Sequence, residues 1–135
     1  MDMSTLNIWA VLAAAVSTFL IGAIWYAKPL FGNAWMKVNG FTEEKLKEAN
    51  MGVLFLWAFI LALIMAFNLG MMLNAPEIDL QMGALYGFLT GFGFVMMGIG
   101  TVALFEQRGW KYIFINGGYM CVAFTVMGII LGAWK

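Results

Sequence analysis

Four apolar runs, each close to 20 residues or longer, constrain the fold of this chain more than any other feature. They cover about 8–27, 53–73, 82–105 and 112–134. An α-helix rises about 1.5 Å per residue, so roughly 20 apolar residues cross the hydrocarbon core of a bilayer. Only 10% of the residues are charged, whereas soluble domains are about a quarter charged. The sequence therefore predicts an all-α integral membrane bundle of four transmembrane helices.

The connections between these runs are too short for a second folded domain, so we expect a single transmembrane domain over residues 1–135. The longest connection separates the first two runs. There, Thr42 precedes two glutamates in the pattern of a helix start, with Thr42 as the cap and the acidic side chains near the positive end of the helix dipole. Glu43 and Lys47 have the spacing of an ion pair along a helix. We therefore expect a short interfacial or cytoplasmic helix between the first two transmembrane helices.

Small residues recur at about four-residue intervals in the apolar runs, which places them on one helix face and lets another backbone approach closely. The predicted packing positions are Ala10, Ala14, Gly22, Ala58, Ala62, Ala66, Gly70, Gly83, Gly87, Gly91, Gly128 and Gly132. Such residues can also line pores or hinges. Because four helices can bury only some of these faces, we expect the bundle to self-associate, with a dimer as the default because two-fold pairs are the commonest assemblies.

The basic residues are distributed very unequally between the two ends of the predicted helices. Six of the seven fall in or beside the first and third connections, namely Lys28, Lys37, Lys45, Lys47, Arg108 and Lys111. By the positive-inside rule these two connections face the cytoplasm. Both termini and the short second connection are then expected outside.

The sequence offers little material for catalysis. It contains no histidine, and its single cysteine, Cys121, lies inside the fourth run, where we expect it to be a packing residue. No Asp, Glu, Lys or Arg interrupts the interior of a run, which disfavours a proton-coupled transporter. No nucleotide loop, metal-ligand spacing or nucleophile–base pair is present. We expect no enzymatic activity, no catalytic or metal-binding residue, no cofactor and no nucleic-acid partner.

One group of aromatic, polar and charged residues should lie at a similar depth, at the cytoplasmic ends of the helices. Its members are Trp25, Tyr26, Lys28, Trp35, Glu106, Arg108, Asn116 and Tyr119. Asn116 and Tyr119 are three residues apart and share a helix face, and an unpaired amide within the bilayer would be costly. The group forms either a polar pocket open to the cytoplasm or a set of helix anchors with one interhelical hydrogen bond.

The segment Trp25-Tyr26-Ala27-Lys28-Pro29-Leu30-Phe31-Gly32-Asn33-Ala34-Trp35-Met36 carries a family resemblance, together with Phe105-Glu106 and Asn116-Gly117-Gly118-Tyr119. The chain resembles domain of unknown function 1761 over nearly its whole length. This resemblance implies a small four-helix protein of the bacterial inner membrane, and it implies no activity, substrate or cofactor. Where many relatives have serine before the proline, this chain has Ala27-Lys28.

Three classes of function fit these observations. The first is a structural bundle that self-associates and binds membrane lipid or a partner. The second is a small transporter or channel subunit, although no run shows a polar face continuous from one side to the other. The third, a membrane enzyme, is disfavoured by the residues that are missing.

Overall fold

The computed structural model describes residues 3–135; Met1 and Asp2, which fall within the predicted domain, lie outside the described residues. Within the described part, every regular element is helical. A 3-10 turn, Met3–Thr5, is followed by α1 (Ile8–Trp25), α2 (Gly32–Asn39), α3 (Glu43–Glu48) and α4 (Met51–Met72). Next come α5 (Leu80–Thr90), a π-helical segment (Gly91–Met96), α6 (Met97–Phe105) and α7 (Trp110–Ala133).

Within residues 3–135, four stretches are long and apolar enough to cross a membrane: α1, α4, the third span from Leu80 to Phe105, and α7. The all-α fold with four such helices agrees with the prediction. The last three spans begin two residues earlier than the apolar runs. Polar caps account for two of these starts, because the side chain of Asn50 accepts a hydrogen bond from the amide of Val53, and that of Asp79 accepts one from Met82.

The third span and α7 form the most intimate helix pair, and their backbones touch at glycines. A Cβ atom added to Gly128 would lie 2.0 Å from the carbonyl oxygen of Gly83, and one added to Gly87 would lie 2.3 Å from that of Phe124. A Cβ on Gly132 would lie 2.4 Å from the carbonyl oxygen of Asp79. No larger residue fits at these positions without separating the helices.

Helix α1 packs between α7 and α4. The helices therefore follow one another across the bundle in the order third span, α7, α1 and α4. Ala10 and Ala14 are buried in α1, and Ala62, Ala66 and Gly70 are buried in α4. Gly22 is half-buried, and a Cβ there would lie 3.3 Å from the hydroxyl of Tyr119. These side chains and glycines let α1 approach its neighbours closely.

The predicted packing position Ala58 differs, because it is exposed. All residues from 51 to 58 are exposed, whereas burial in α4 begins after them. The first two turns of α4 therefore bury little surface against the other helices, although the ring of Phe55 contacts that of Phe19 in α1, with centroids 6.4 Å apart. Ala58 continues the four-residue spacing of Ala62 and Ala66, but spacing along one helix does not ensure that a neighbour is present along its whole length.

The π-helical segment in the third span was not predicted. Gly91 and Met96 are both buried against α7: a Cβ on Gly91 would lie 2.8 Å from that of Phe124, and Met96 packs on Gly117. A π turn closes between residues five apart, so Gly91 and Met96 share a face that they would not share in an α-helix. The segment keeps both halves of the third span in contact with α7.

Hydrogen bonds between side chains and loops fasten the two ends of the bundle. At one end, Arg108 donates to the side chain of Asn39, joining loop 3 (residues 106–109) to loop 1 (residues 26–50). At the other end, Asn7 donates to the carbonyl oxygen of Trp134, and Lys135 donates to that of Leu73. Loops 1 and 3 therefore lie at one end, here called the loop-1 end, and both described termini lie with loop 2 at the other.

Candidate functional site

The chain reverses sharply after α1 and returns over its own end. The amide of Phe31 donates to the carbonyl oxygen of Trp25, and that of Gly32 donates to Ala27 at 2.9 Å. A Cβ on Gly32 would lie 2.6 Å from the carbonyl oxygen of Tyr26, so this turn requires glycine. Helix α2 starts there and ends at Asn39, and it is capped by Gly40, whose φ of 66° is left-handed. The turn thus places α2 beside the end of α1.

Trp25 fastens the end of α1 to α7. Its indole nitrogen donates a 2.8 Å hydrogen bond to the carbonyl oxygen of Ile115. The ring lies 4.7 Å from that of Phe31, centroid to centroid, and its edge occupies the space beside Gly118. The polar atom of Trp25 is therefore satisfied within the protein, and its ring is held on both sides.

Tyr26 makes the second link to α7. Its hydroxyl donates a 2.7 Å hydrogen bond to Oδ1 of Asn116, and Nδ2 of Asn116 donates to the carbonyl oxygen of Tyr112 at 3.2 Å. Burial raises the pKa of Tyr26 far above its usual range, and the nearby Tyr119 and Tyr112 add to that effect. Tyr26 is therefore a neutral donor at physiological pH. Asn116 has the hydrogen-bond partner that the sequence demanded.

Four rings form a continuous aromatic row from α7 to loop 1. Tyr119 contacts Tyr26 with ring centroids 5.3 Å apart, Tyr26 contacts Trp35 at 5.7 Å, and Trp35 contacts Phe41 at 5.2 Å. All three pairs are edge-to-face, a geometry that contributes about 0.5–1.5 kcal/mol per pair beyond burial. The hydroxyl of Tyr119 also donates to the carbonyl oxygen of Thr18 at 2.8 Å. The row connects α7, α1 and α2.

The charged members of the predicted group lie outside this row. Lys28 pairs with Glu43 at 2.6 Å, and its ammonium group lowers the pKa of that carboxyl. The predicted Glu43–Lys47 pair is thus replaced by a pair within loop 1 that spans 15 residues of sequence. The guanidinium of Arg108 lies 4.4 Å from the centroid of the Tyr112 ring, in cation–π geometry.

Glu106 is not brought into the group. It caps the C-terminal end of α6 and is exposed, and among the described residues it makes no hydrogen bond or ion pair with Asn116 or Arg108. The structure therefore joins Trp25, Tyr26, Trp35, Asn116 and Tyr119. It keeps Lys28 and Arg108 at the rim and leaves Glu106 apart.

Sequence reasoning missed several partners in this group. Three of them are backbone carbonyls, of Thr18, Tyr112 and Ile115, which carry no residue-specific signal. Asn39 and Phe41 were missed because α2 was not predicted. The alternation of aromatic residues with Gly32 and Gly40 was the available signal for a short, tightly folded segment.

This group is organised as a clasp, in which the side chains of Trp25, Tyr26, Asn116 and Tyr119 form hydrogen bonds within the protein. Within residues 3–135, no buried side-chain nitrogen or oxygen lacks a hydrogen-bond partner, and no cluster of His, Cys, Asp or Glu is suited to a metal. The clasp consists of Trp25, Tyr26, Trp35, Asn116 and Tyr119. It holds the reversal of loop 1 against α7.

Four membrane-length helices, tight glycine contacts and aromatic anchoring at one end define a multi-pass helical membrane protein. The family model described as "Protein of unknown function (DUF1761)" matches residues 9–132, and the chain belongs to that family. The match covers the whole clasp and all four spans except the first residue of α1 and the last residue of α7. No curated protein and no solved structure gives a significant match.

Proposed function

We propose that this protein has a non-enzymatic role in the bacterial inner membrane, as a helical bundle that self-associates and binds lipid. Loops 1 and 3 face the cytoplasm in this proposal, and the termini face outward. The unequal distribution of basic residues supports this orientation, since six of seven lie at the loop-1 end.

Self-association is supported by two glycines of the third span that have open space beside them. Gly83 and Gly87 contact α7, whereas a Cβ added to Gly93 or Gly98 would have no atom within 4 Å. In lipid there is little hydrophobic drive between helices, so close approach over small residues supplies much of the association energy. Gly93 and Gly98 would provide that approach to a second copy.

The clasp supports a structural role for the loop-1 end. Its hydrogen bonds run between α1 and α7 and within α7, and its rings pack on each other. A group arranged in this way fixes the position of α2 at the membrane surface. Loop 1 would then present a rigid surface to the headgroups.

The experiment is a measurement of mass in detergent by light scattering or native mass spectrometry. We expect the wild-type protein to be a dimer and the double variant Gly93→Leu/Gly98→Leu to be monomeric, with its helix content retained. Ala23→Leu, at an exposed small residue of α1, is the matched control and should remain dimeric. A monomeric wild-type protein, or a double variant of unchanged mass, would contradict the proposal.

A small transporter or channel subunit is the second candidate, and the π-helical segment favours it. Such segments occur often at functional sites and can mark the place where a helix bends. Movement at Gly91–Met96 should give faster amide hydrogen exchange there than in α5 and α7. Uniformly slow exchange along the third span would leave the structural role as the better supported function.

A further inference from the structure

The third span carries two sets of residues that could face α7, and the π-helical segment decides between them. Gly83, Gly87 and Gly91 contact α7 at four-residue intervals. In an uninterrupted α-helix, the same face would continue through Val95 and Val102, four and eleven residues after Gly91. A regular helix would therefore turn these two valines toward α7.

The structure buries the other set of residues. Met96, Gly100 and Ala103 are buried, whereas Val102 is 60% exposed. Because the π turn accommodates one extra residue, each place on this face is filled by the residue that follows the one expected in a regular helix. Helix α6 is therefore rotated by about 100° from the orientation that an uninterrupted helix would give it.

The contact of α6 with α7 is looser than the contact of α5. A Cβ on Gly83 would lie 2.2 Å from the carbonyl oxygen of Gly128, which is an approach of one backbone to another. A Cβ on Gly100 would lie 3.5 Å from Cγ2 of Ile113, an ordinary distance to a side chain. Rotation of α6 would therefore break weaker contacts than rotation of α5.

Each orientation of α6 has its own energetic advantage. The present one buries the small residues Gly100 and Ala103, which allow close packing, and it lets Arg108 donate to loop 1. The alternative would replace the π turn, which is rare in proteins, with regular α-helical hydrogen bonds. It would also place Ile99 and Val102 where Gly100 and Ala103 lie now, so α6 would stand further from α7.

Rotation would also change the surface that α6 offers to a second copy. Each residue would take the place of the next one, so Met97 would take the place of Gly98. Gly98 is exposed now, and it would move to the place of the half-buried Ile99. The long side chain of Met97 would then prevent the close approach that Gly98 allows.

We propose that the π-helical segment is a two-state switch for self-association. With the π turn, α6 presents Gly98 to a second copy; without it, α6 is rotated by about 100° and the dimer contact is lost. The hydrogen bond from Arg108 to Asn39 favours the dimer, because rotation of α6 would carry Arg108 away from loop 1. This inference rests on the proposed self-association and specifies how it is regulated.

The test combines the mass in detergent with distances between nitroxide pairs, measured by pulsed EPR in a Cys121→Ser background. Ala103 is 1% exposed, but rotation would move position 103 to the exposed place of Leu104. Ala103→Leu therefore disfavours the present orientation through overpacking. We expect this variant to be monomeric and to shift the distance between nitroxides at Thr101 and Leu61 by several ångströms.

Two controls isolate the rotation of α6, and labelled chains are diluted with unlabelled ones so that each distance lies within one chain. Nitroxides at Leu85 and Leu61 should keep one distance in every variant, since α5 precedes the π turn. Leu104→Phe enlarges a side chain that would stay exposed after rotation, in the place of Phe105. It should remain dimeric with an unchanged distance between the labels at 101 and 61.

Arg108→Gln is a second variant, for which refolding of a packed position is not required. It removes the bond to Asn39, so we expect it to add the shifted distance to the distribution and to lower the dimer fraction. It also replaces Ala103→Leu if that variant fails to fold.

Each contrary outcome has a distinct meaning. An unshifted distance in both variants, with a dimeric wild type, would reject the switch and leave the proposed function standing. A shifted distance in a variant that stays dimeric would also overturn the switch, because rotation would then leave the dimer contact intact. A monomeric wild type would instead reject the proposed self-association.

Discussion

The hydroxyl of Tyr26 donates a 2.7 Å hydrogen bond to Oδ1 of Asn116, a residue 90 positions further along the chain. This bond joins the last residue before the loop-1 reversal to the second turn of α7. It is reinforced by the edge-to-face contact of Tyr26 with Tyr119, one turn further along the same face of α7. The end of α1 is therefore held at two successive turns.

Removing either partner of this bond should destabilise the fold moderately. We expect Tyr26→Phe and Asn116→Ala each to lower the free energy of unfolding by about 0.5–2 kcal/mol, the range for interhelical hydrogen bonds. The double variant should cost less than the sum of the two, because the same bond is lost in both. Thermal unfolding in detergent measures these changes. Tyr86→Phe, on the outer face of the third span, is the control and should melt as wild type; strictly additive losses would argue against direct coupling.

A methyl group at the closest glycine contact should separate the third span from α7. Gly128→Ala places a Cβ 2.0 Å from the carbonyl oxygen of Gly83, so we expect a loss of about 1–3 kcal/mol through overpacking. Gly52→Ala makes the same chemical change at an exposed position of α4, where the nearest atom to the added Cβ is Oδ1 of Asn50 at 3.5 Å, and it should be neutral or slightly stabilising because alanine favours the helix. Denaturation of both variants in detergent gives the comparison. Similar effects of the two changes would show that backbone contact is not the cause.

The Lys28–Glu43 pair should make the attachment of loop 1 depend on acid pH. The hydrogen bond and the charge of Lys28 lower the pKa of Glu43 below its ordinary value of 4.5. A lowered folded-state pKa means that the pair's contribution is complete above 4.5 and is lost as pH falls through the lower value. Carboxyl NMR of Glu43 should therefore show a higher titration midpoint in Lys28→Gln than in wild type. An identical midpoint in the two proteins would exclude the pair in solution.

The orientation can be measured by labelling single cysteines in a Cys121→Ser background. We expect a cysteine at Glu44 to be protected from a membrane-impermeant maleimide added to intact spheroplasts, because loop 1 faces the cytoplasm. A cysteine at Glu77, in loop 2, should be labelled. Both native side chains are exposed, so access depends on the side of the membrane. The reverse pattern would invert the topology.

The sequence predicts the four spans well because an uninterrupted apolar run of about 20 residues has few other stable environments. It also predicts the cap of α3, where Thr42 accepts a hydrogen bond from the amide of Lys45. Helix α2 is not predicted because it depends on two tertiary contacts. These are the close approach of Gly32 to the backbone of Tyr26 and the packing of Trp35 on the Tyr26 ring.

The sequence predicted which residues belong to the candidate site better than it predicted how they are arranged. Asn116 and Tyr119 share a helix face, and both reach Tyr26 as that spacing indicates. Glu106 was placed with them because it lies at the same end of the bundle, but a common depth does not fix position around the bundle. The Lys28–Glu43 pair shows a related effect, because the return of loop 1 brings Glu43 to a partner other than its helix neighbour Lys47.

The π-helical segment has a consequence for changes in chain length. Gly91 and Met96 both face α7 because one extra residue is accommodated in that turn. Deleting a single residue between them would leave the two positions four residues apart in an uninterrupted α-helix and still on one face, so Ala103 and the residues that lead to Arg108 would keep their orientation toward the bundle. A deletion elsewhere in the third span has no extra residue to remove, and it would rotate everything after it by about 100° around the helix axis. This turn can therefore absorb the loss of one residue without changing which side chains of α6 face α7.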